Sequence, residues 1–197
     1  MPLPATLHPT ENRGLRELYA LGRQLVTHWS TLARRLGPGT AASALGEGVD
    51  QVRALIAALE ELTADYQLFG SPAAQGVGVQ LAGVRNGVAD LFLERNQALR
   101  MAVLDVTHLI ELLAYLGAVA EGRRDERLAD FCRGWGGRLA PVGDAVRAAV
   151  RDLARDPDAA IEPATPTPLG RAAHRVAYGL GTMGEWIDRR SAARRRS

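Results

Sequence analysis

The longest apolar run in the sequence is the twenty-residue stretch MAVLDVTHLIELLAYLGAVA, from Met101 to Ala120. A helix of this length reaches across the hydrocarbon core of a bilayer. However, Asp105, His108 and Glu111 lie near its middle, and ionisable side chains are costly at membrane depth. The run therefore predicts a helix inside a water-soluble protein, with no transmembrane segment, and the rest of the fold has to be built around it.

The apolar residues of this region recur at helical spacing on two sides. The main stripe predicts a broad buried face, and it contains Val84, Val88, Leu91, Leu99, Ala102, Val106, Leu109, Ile110, Leu113 and Leu116. A second, weaker set lies on another side among polar residues, and it contains Leu93, Met101, Leu104, Leu112, Tyr115 and Val119. A helix that is apolar on two sides needs neighbours on both. We therefore expect the central helix of a bundle or the seam of an oligomer.

The long central helical segment is predicted to run from about residue 72 to residue 120, as one helix or as two. Arg95 falls within its apolar stripe, and two explanations are open. Either the helix breaks near Glu94 to Asn96, or the guanidinium lies inside and pairs with a carboxylate of the preceding helix, such as Glu61 or Asp65.

Four further segments have the apolar spacing of helices. The first begins after a cap at Thr10 or Asn12 and ends at the Gly37-Pro38-Gly39 turn. The others cover about residues 43–70, with Ser43 as the cap, residues 125–154 and residues 169–190. Residues 1–10 are expected to be loose, and residues 156–168 form a Pro-rich connector. The sequence thus predicts one all-α domain over residues 1–197, an up-and-down bundle of about five helices with the long segment at its centre.

The charge of the chain is concentrated at its end. All 24 basic residues are arginine, and the formal net charge is +2. The last ten residues carry five arginines against one aspartate, which leaves the rest of the chain at −2, with 19 basic against 21 acidic residues. Such a body predicts no broad nucleic-acid-binding face. An anion or nucleic acid is expected to bind only through the tail, at Arg189, Arg190, Arg194, Arg195 and Arg196.

A single cysteine, Cys132, excludes an intramolecular disulfide framework and a cysteine-based zinc cluster. It lies on the apolar face of its helix beside Trp135 and Phe131, so we expect a buried hydrophobic residue rather than a nucleophile. The N-terminus has no basic region followed by an apolar core, and so it does not resemble a secretory signal. These features favour a soluble, cytoplasmic protein.

A metal site is the main chemical alternative. Asp105, His108 and Glu111 are spaced by three residues, and carboxylate and imidazole pairs of this kind hold metals in helical bundles. A site also needs ligands from a second helix, and a polar bundle edge explains the same three residues. His28 and His174 fall on the polar sides of their helices, where surface positions are expected.

The leading functional prediction is a non-enzymatic interaction or scaffold protein without a cofactor, acting through self-association as a homo-oligomer or through a protein partner. It depends on the doubly apolar central helix and on the lack of a convergent catalytic set. The predicted contact residues are Leu93, Met101, Leu104, Tyr115 and Val119. The alternative is a bundle metalloprotein or metal-dependent enzyme that holds a divalent metal at Asp105, His108 and Glu111, and the third possibility is anion binding by the arginine tail.

Overall fold

The computed structural model describes residues 6–66, 68, 93–168, 170–172 and 175. Over these residues the chain is helical, and no strand is present beyond an isolated bridge between Glu94 and Pro163. The helices are α1 (Pro9–Leu36), α2 (Thr40–Asp65), α3 (Arg95–Arg123), α4 (Glu126–Leu153) and the short α5 (Pro157–Ala160). The prediction of an all-α helical bundle is confirmed.

Helices α1 and α4 begin after residues whose side chains accept a hydrogen bond from the first turn. The cap of α1 is His8, whose Nδ1 accepts from the Thr10 N–H at 3.2 Å, while the Glu11 carboxylate accepts from the His8 N–H at 2.6 Å. The predicted caps at Thr10 or Asn12 are therefore wrong, and α1 already includes two of the residues expected to be loose. Helix α2 begins at Thr40 rather than after Ser43, whereas α4 begins after Asp125 as predicted, with the Asp125 carboxylate accepting from the Leu128 N–H.

Each long helix packs against two others, and every packed pair runs antiparallel. Helix α1 contacts α2 and α3, and α4 contacts α3 and α2. The direction of α3 relative to α1 follows from two contacts, His28 with Asp105 and Thr6 with Arg123. Tyr66 at the end of α2 contacts Asp125 at the start of α4. Helices α2 and α3 consequently lie on a diagonal and run in the same direction, so Tyr66 and Glu94 are at opposite ends of the bundle.

The core is built mainly from leucine, valine and alanine around Trp29, which is fully buried. The main apolar stripe of α3 faces this core, as predicted, and its buried members are Leu99, Ala102, Val106, Leu109, Leu113 and Leu116. Where α1 crosses α3, the side chain of Leu116 lies against Gly14. These contacts leave α3 with one covered side, against α1 and α4, and one outward side.

The position of Arg95 resolves the two explanations given for it. Arg95 is the first residue of α3, after the cap Glu94, so the helix does begin in the predicted break. Its guanidinium pairs with Glu162 at 2.7 Å, and Asp65 pairs instead with Arg127. The predicted part of the central segment from residue 72 to residue 92 lies outside the described residues, as does most of the predicted last helix.

Candidate interaction surface

The outward side of α3 carries a row of exposed side chains that runs along most of the helix. Its members are Leu104, His108, Glu111, Tyr115 and Ala118, and Met101 extends the row as a half-buried residue. These residues are spaced by three or four positions, which places them on one face of a helix. We refer to these six residues as the α3 face.

Two members of the α3 face are large, apolar and exposed. Leu104 is 59% exposed and Tyr115 is 53% exposed, which makes them the most exposed large hydrophobic side chains among the described residues. The next is Ile161, at 41%, which follows α5 and is not a member of the α3 face. Both Leu104 and Tyr115 belong to the predicted contact set, and their role as contact residues stays a prediction.

The other three predicted contact residues are less accessible. Met101 and Val119 are half-buried at the margins of the row. Leu93 precedes the helix cap, and its carbonyl accepts from the Ala164 N–H at 2.9 Å. Leu93 also packs against the core as a half-buried residue. It therefore belongs to the start of α3 and its contact with residues 160–164, and not to the α3 face.

The centre of the α3 face is polar. His108 and Glu111 lie between Leu104 and Tyr115, and His108 Nε2 is 3.6 Å from Oε1 of Glu17 on α1. Both side chains of this ion pair are more than half exposed, so the pair contributes little to stability. A depression of about 150 Å³ lies beside it between α1 and α3, which is below the size of a typical small-molecule pocket.

Asp105 and His28 form a partly buried pair beside the α3 face. His28 Nδ1 lies 2.8 Å from Oδ2 of Asp105, and the His28 side chain is only 7% exposed. The prediction that His28 lies at the surface is therefore wrong, because α3 supplies a carboxylate that allows the imidazole to be buried. This contact between α1 and α3 fixes the side of α3 that faces inward.

The three residues proposed as metal ligands do not converge on one site. Asp105 contacts His28, His108 contacts Glu17, and Glu111 is exposed on the α3 face. Within the described ranges, no three His, Cys, Asp or Glu side chains are grouped so that they could hold a metal ion. The metal hypothesis therefore receives no support from the arrangement of these residues.

Cys132 is buried, as predicted, with 2% of its surface exposed. Burial raises the pKa of its thiol to about 12, and the nearby negative charge of Asp125 adds to this effect. A thiol with this pKa is almost entirely protonated near neutral pH, and the thiolate is the nucleophile. Cys132 is therefore packed as a core residue with a protonated thiol.

One buried charge was missed by the sequence analysis. Glu11 is 1% exposed and pairs with Arg123 Nε at 3.2 Å. Arg123 also donates to the carbonyl of Thr6, so it ties the start of the chain to the end of α3. The signal in the sequence was the spacing His8-x-x-Glu11, which resembles a capping box but lacks the usual serine or threonine.

Other predicted features lie beyond the residues that can be described. They include His174 and the arginine tail, with Arg189, Arg190, Arg194, Arg195 and Arg196. Anion binding by the tail therefore stays a prediction.

By length and composition alone, α3 is apolar enough to cross a membrane, a test that the core helix of a soluble protein also passes. In this bundle its main stripe is buried against neighbouring helices. Comparison of the chain with protein-family models, curated proteins and solved structures finds no match. The functional argument therefore depends on the geometry of the chain's own residues.

Proposed function

We propose that this chain is a non-enzymatic interaction or scaffold protein that acts through the α3 face, by self-association or by binding a protein partner. The observation that carries the proposal is the exposure of Leu104 and Tyr115 on one helix, 59% and 53% respectively. Both lie on the side of α3 that α1 and α4 leave open.

Energetic considerations favour covering this surface. Burying a large apolar side chain stabilises a complex by about 1.5–3 kcal/mol relative to leaving it in water. Tyrosine is also enriched among the residues that dominate binding energy, because it combines a large apolar ring with a polar hydroxyl group. Charged residues are depleted at the core of protein interfaces, so a partner would have to pair with His108 and Glu111, which lie between the two apolar side chains.

Light scattering on the purified chain, over a series of protein concentrations, tests the proposal. We expect the wild-type chain to form an assembly, and we expect Leu104→Glu and Tyr115→Ser each to weaken its association constant by at least about tenfold. Ile161→Ser is the matched control, because it removes an exposed apolar side chain that is not a member of the α3 face. This variant should associate as the wild type does.

The accessibility of Tyr115 in solution is the second measurement. Hydroxyl-radical labelling of Tyr115 should be slower in the assembly than in the Leu104→Glu variant. A wild-type monomer with a labelled Tyr115 would limit the function to partner binding. A wild-type monomer in which Tyr115 is protected would overturn the proposal, because the chain itself would then cover the α3 face.

A further inference from the structure

We propose that the occupant of the α3 face is a second copy of this chain, packed antiparallel so that Leu104 lies on Tyr115 of the partner subunit. This inference rests on the proposed function and adds the identity and the register of the partner. It is argued from the spacing of the exposed residues and from their charges.

The exposed residues have the spacing of a coiled-coil seam. Met101, Leu104, His108, Glu111, Tyr115 and Ala118 follow one another at intervals of three, four, three, four and three residues. This alternation is the repeat that keeps one stripe of a helix facing a partner helix. The main stripe on the opposite side already packs inside the bundle, so the seam is a separate surface available to another helix.

The order of the residues along the seam is self-complementary. A two-fold axis midway between His108 and Glu111 relates the two ends of the row. In an antiparallel pair, Leu104 then lies opposite Tyr115 of the partner subunit, and His108 lies opposite Glu111 of the partner subunit. Met101 lies opposite Ala118 of the partner subunit. A symmetric dimer requires this kind of pairing, in which one patch matches itself.

Charge selects the antiparallel arrangement over the parallel one. In a parallel pair in register, Glu111 would face Glu111 of the partner subunit, and two like charges at an interface are unfavourable. In the antiparallel pair, each Glu111 carboxylate faces a His108 imidazole, which can donate a hydrogen bond to it. His108 is already 3.6 Å from Glu17 on its own chain, so in the dimer the imidazole would lie between two carboxylates.

Cysteine cross-linking tests the register directly. Two variants of the full chain are prepared, Leu104→Cys and Tyr115→Cys. Each variant is oxidised by itself, and a mixture of the two is oxidised in parallel. In the proposed dimer, positions 104 and 115 are opposite, whereas two copies of position 104 are about 16 Å apart along the helix axis. A disulfide requires Cα atoms within about 7 Å. The mixture should therefore give at least about tenfold more cross-linked dimer than either variant alone.

Two controls define the background. The wild-type chain carries only the buried Cys132, and it should not cross-link. Ile161→Cys places a thiol at an exposed site outside the six residues of the α3 face, and its yield, alone or mixed with Leu104→Cys, measures random collision. Light scattering on the same samples reports whether the chain associates at all.

The outcomes separate the inference from the proposed function. Cross-linking confined to the mixture supports the antiparallel dimer. Efficient cross-linking of each variant alone would overturn the antiparallel register and leave self-association through the α3 face in place. A dimer whose cross-linking yields do not exceed the Ile161→Cys background would overturn the antiparallel dimer and self-association through the α3 face, because another surface would form the dimer. A wild-type chain that is monomeric would contradict the proposal that a second copy binds the α3 face. The binding of a different protein to this face would then be the remaining function.

Discussion

At the scale of single residues, the pairing of Glu11 with Arg123 links the start of α1 to the end of α3. Glu11 is almost completely buried, whereas the side chain of Arg123 is 41% exposed. A carboxylate removed from water needs a charged or hydrogen-bonding partner. The backbone N–H of His8 supplies one contact and Arg123 supplies another, so the guanidinium compensates for a cost that would otherwise oppose folding.

We expect Arg123→Ala to lower the free energy of unfolding by about 1–3 kcal/mol, because it leaves Glu11 with an uncompensated charge. Urea denaturation followed by circular dichroism measures the change. Arg133→Ala is the control, since Arg133 pairs with Glu121 and Asp130 at the surface, and such pairs contribute little. Equal effects of the two substitutions would show that the Glu11 contact has no special role.

Cys132 gives a second prediction at this scale, with a defined dependence on pH. Its pKa is raised from 9.0 to about 12, so the folded chain favours the protonated thiol. This stabilisation is fully present below about pH 9 and is lost as the pH rises towards 12. At pH 8 the thiolate fraction should be about a thousandfold lower than in the unfolded chain.

Alkylation with iodoacetamide, followed by mass spectrometry, tests this. We expect Cys132 to react slowly at pH 8 in buffer and rapidly in urea, and we expect the native rate to increase with pH. Ile161→Cys offers an exposed thiol in the same protein as a control. Rapid labelling of native Cys132 at pH 8 would contradict the burial of this residue.

At the scale of the elements, two glycines in α2 differ sharply in their surroundings. A Cβ atom built on Gly48 would lie 2.9 Å from Cε3 of Trp29 and 2.9 Å from Cγ1 of Val142, whereas one built on Gly46 meets nothing within 4 Å. Gly48 is therefore required where α2 passes between α1 and α4, since Trp29 is fully buried and cannot move aside.

These surroundings predict opposite effects of the same substitution. Gly48→Ala should destabilise the fold by about 1–3 kcal/mol, because it overpacks the core. Gly46→Ala should stabilise it by about 0.5–1 kcal/mol, because alanine has the higher helix propensity. Thermal unfolding of the two variants beside the wild type measures the difference. Equal stability of the two variants would contradict the close contact of Gly48 with Trp29 and Val142.

The long helices could be predicted from the sequence because each buries a stripe of regular spacing. Leu99, Val106 and Leu113 were assigned to the core side of α3, and all three are buried. The first residues of the helices were harder to predict. Helix α1 is capped by His8, which is not among the usual capping residues, so local preference favoured Thr10 or Asn12 instead.

The candidate site was only partly predictable for a related reason. Helical spacing placed Leu104 and Tyr115 on the second side of α3, and the structure leaves them exposed. Spacing alone could not show that Leu93 precedes the helix or that His28 is buried. The first depends on a contact with Ala164, and the second on a carboxylate 77 residues away. Such contacts exist only after the helices have packed.

At the scale of the whole molecule, the order of the helices around the bundle determines which surface is free. Helices α2 and α3 lie on a diagonal, and Tyr66 and Glu94 are at opposite ends of the bundle. Since α3 packs against α1 and α4, two residues of its second apolar set, Leu104 and Tyr115, face outward, whereas Leu112 of the same set is buried. The main stripe of the helix thus lies inside the bundle, and the second apolar set is exposed at two positions.

Self-association through this outward side would link the stability of the molecule to its concentration. A dimer whose subunits stabilise one another is favoured by mass action. We therefore expect the melting temperature of the wild-type chain to rise by about 1–3 °C for each tenfold increase in concentration above the dissociation constant. Differential scanning calorimetry measures this dependence. The Leu104→Glu variant, with its core unchanged, should melt at a temperature independent of concentration, and Ile161→Ser should behave as the wild type does. A constant melting temperature for a wild-type chain that light scattering shows to be dimeric would mean that the contact through α3 adds nothing to the stability of the fold.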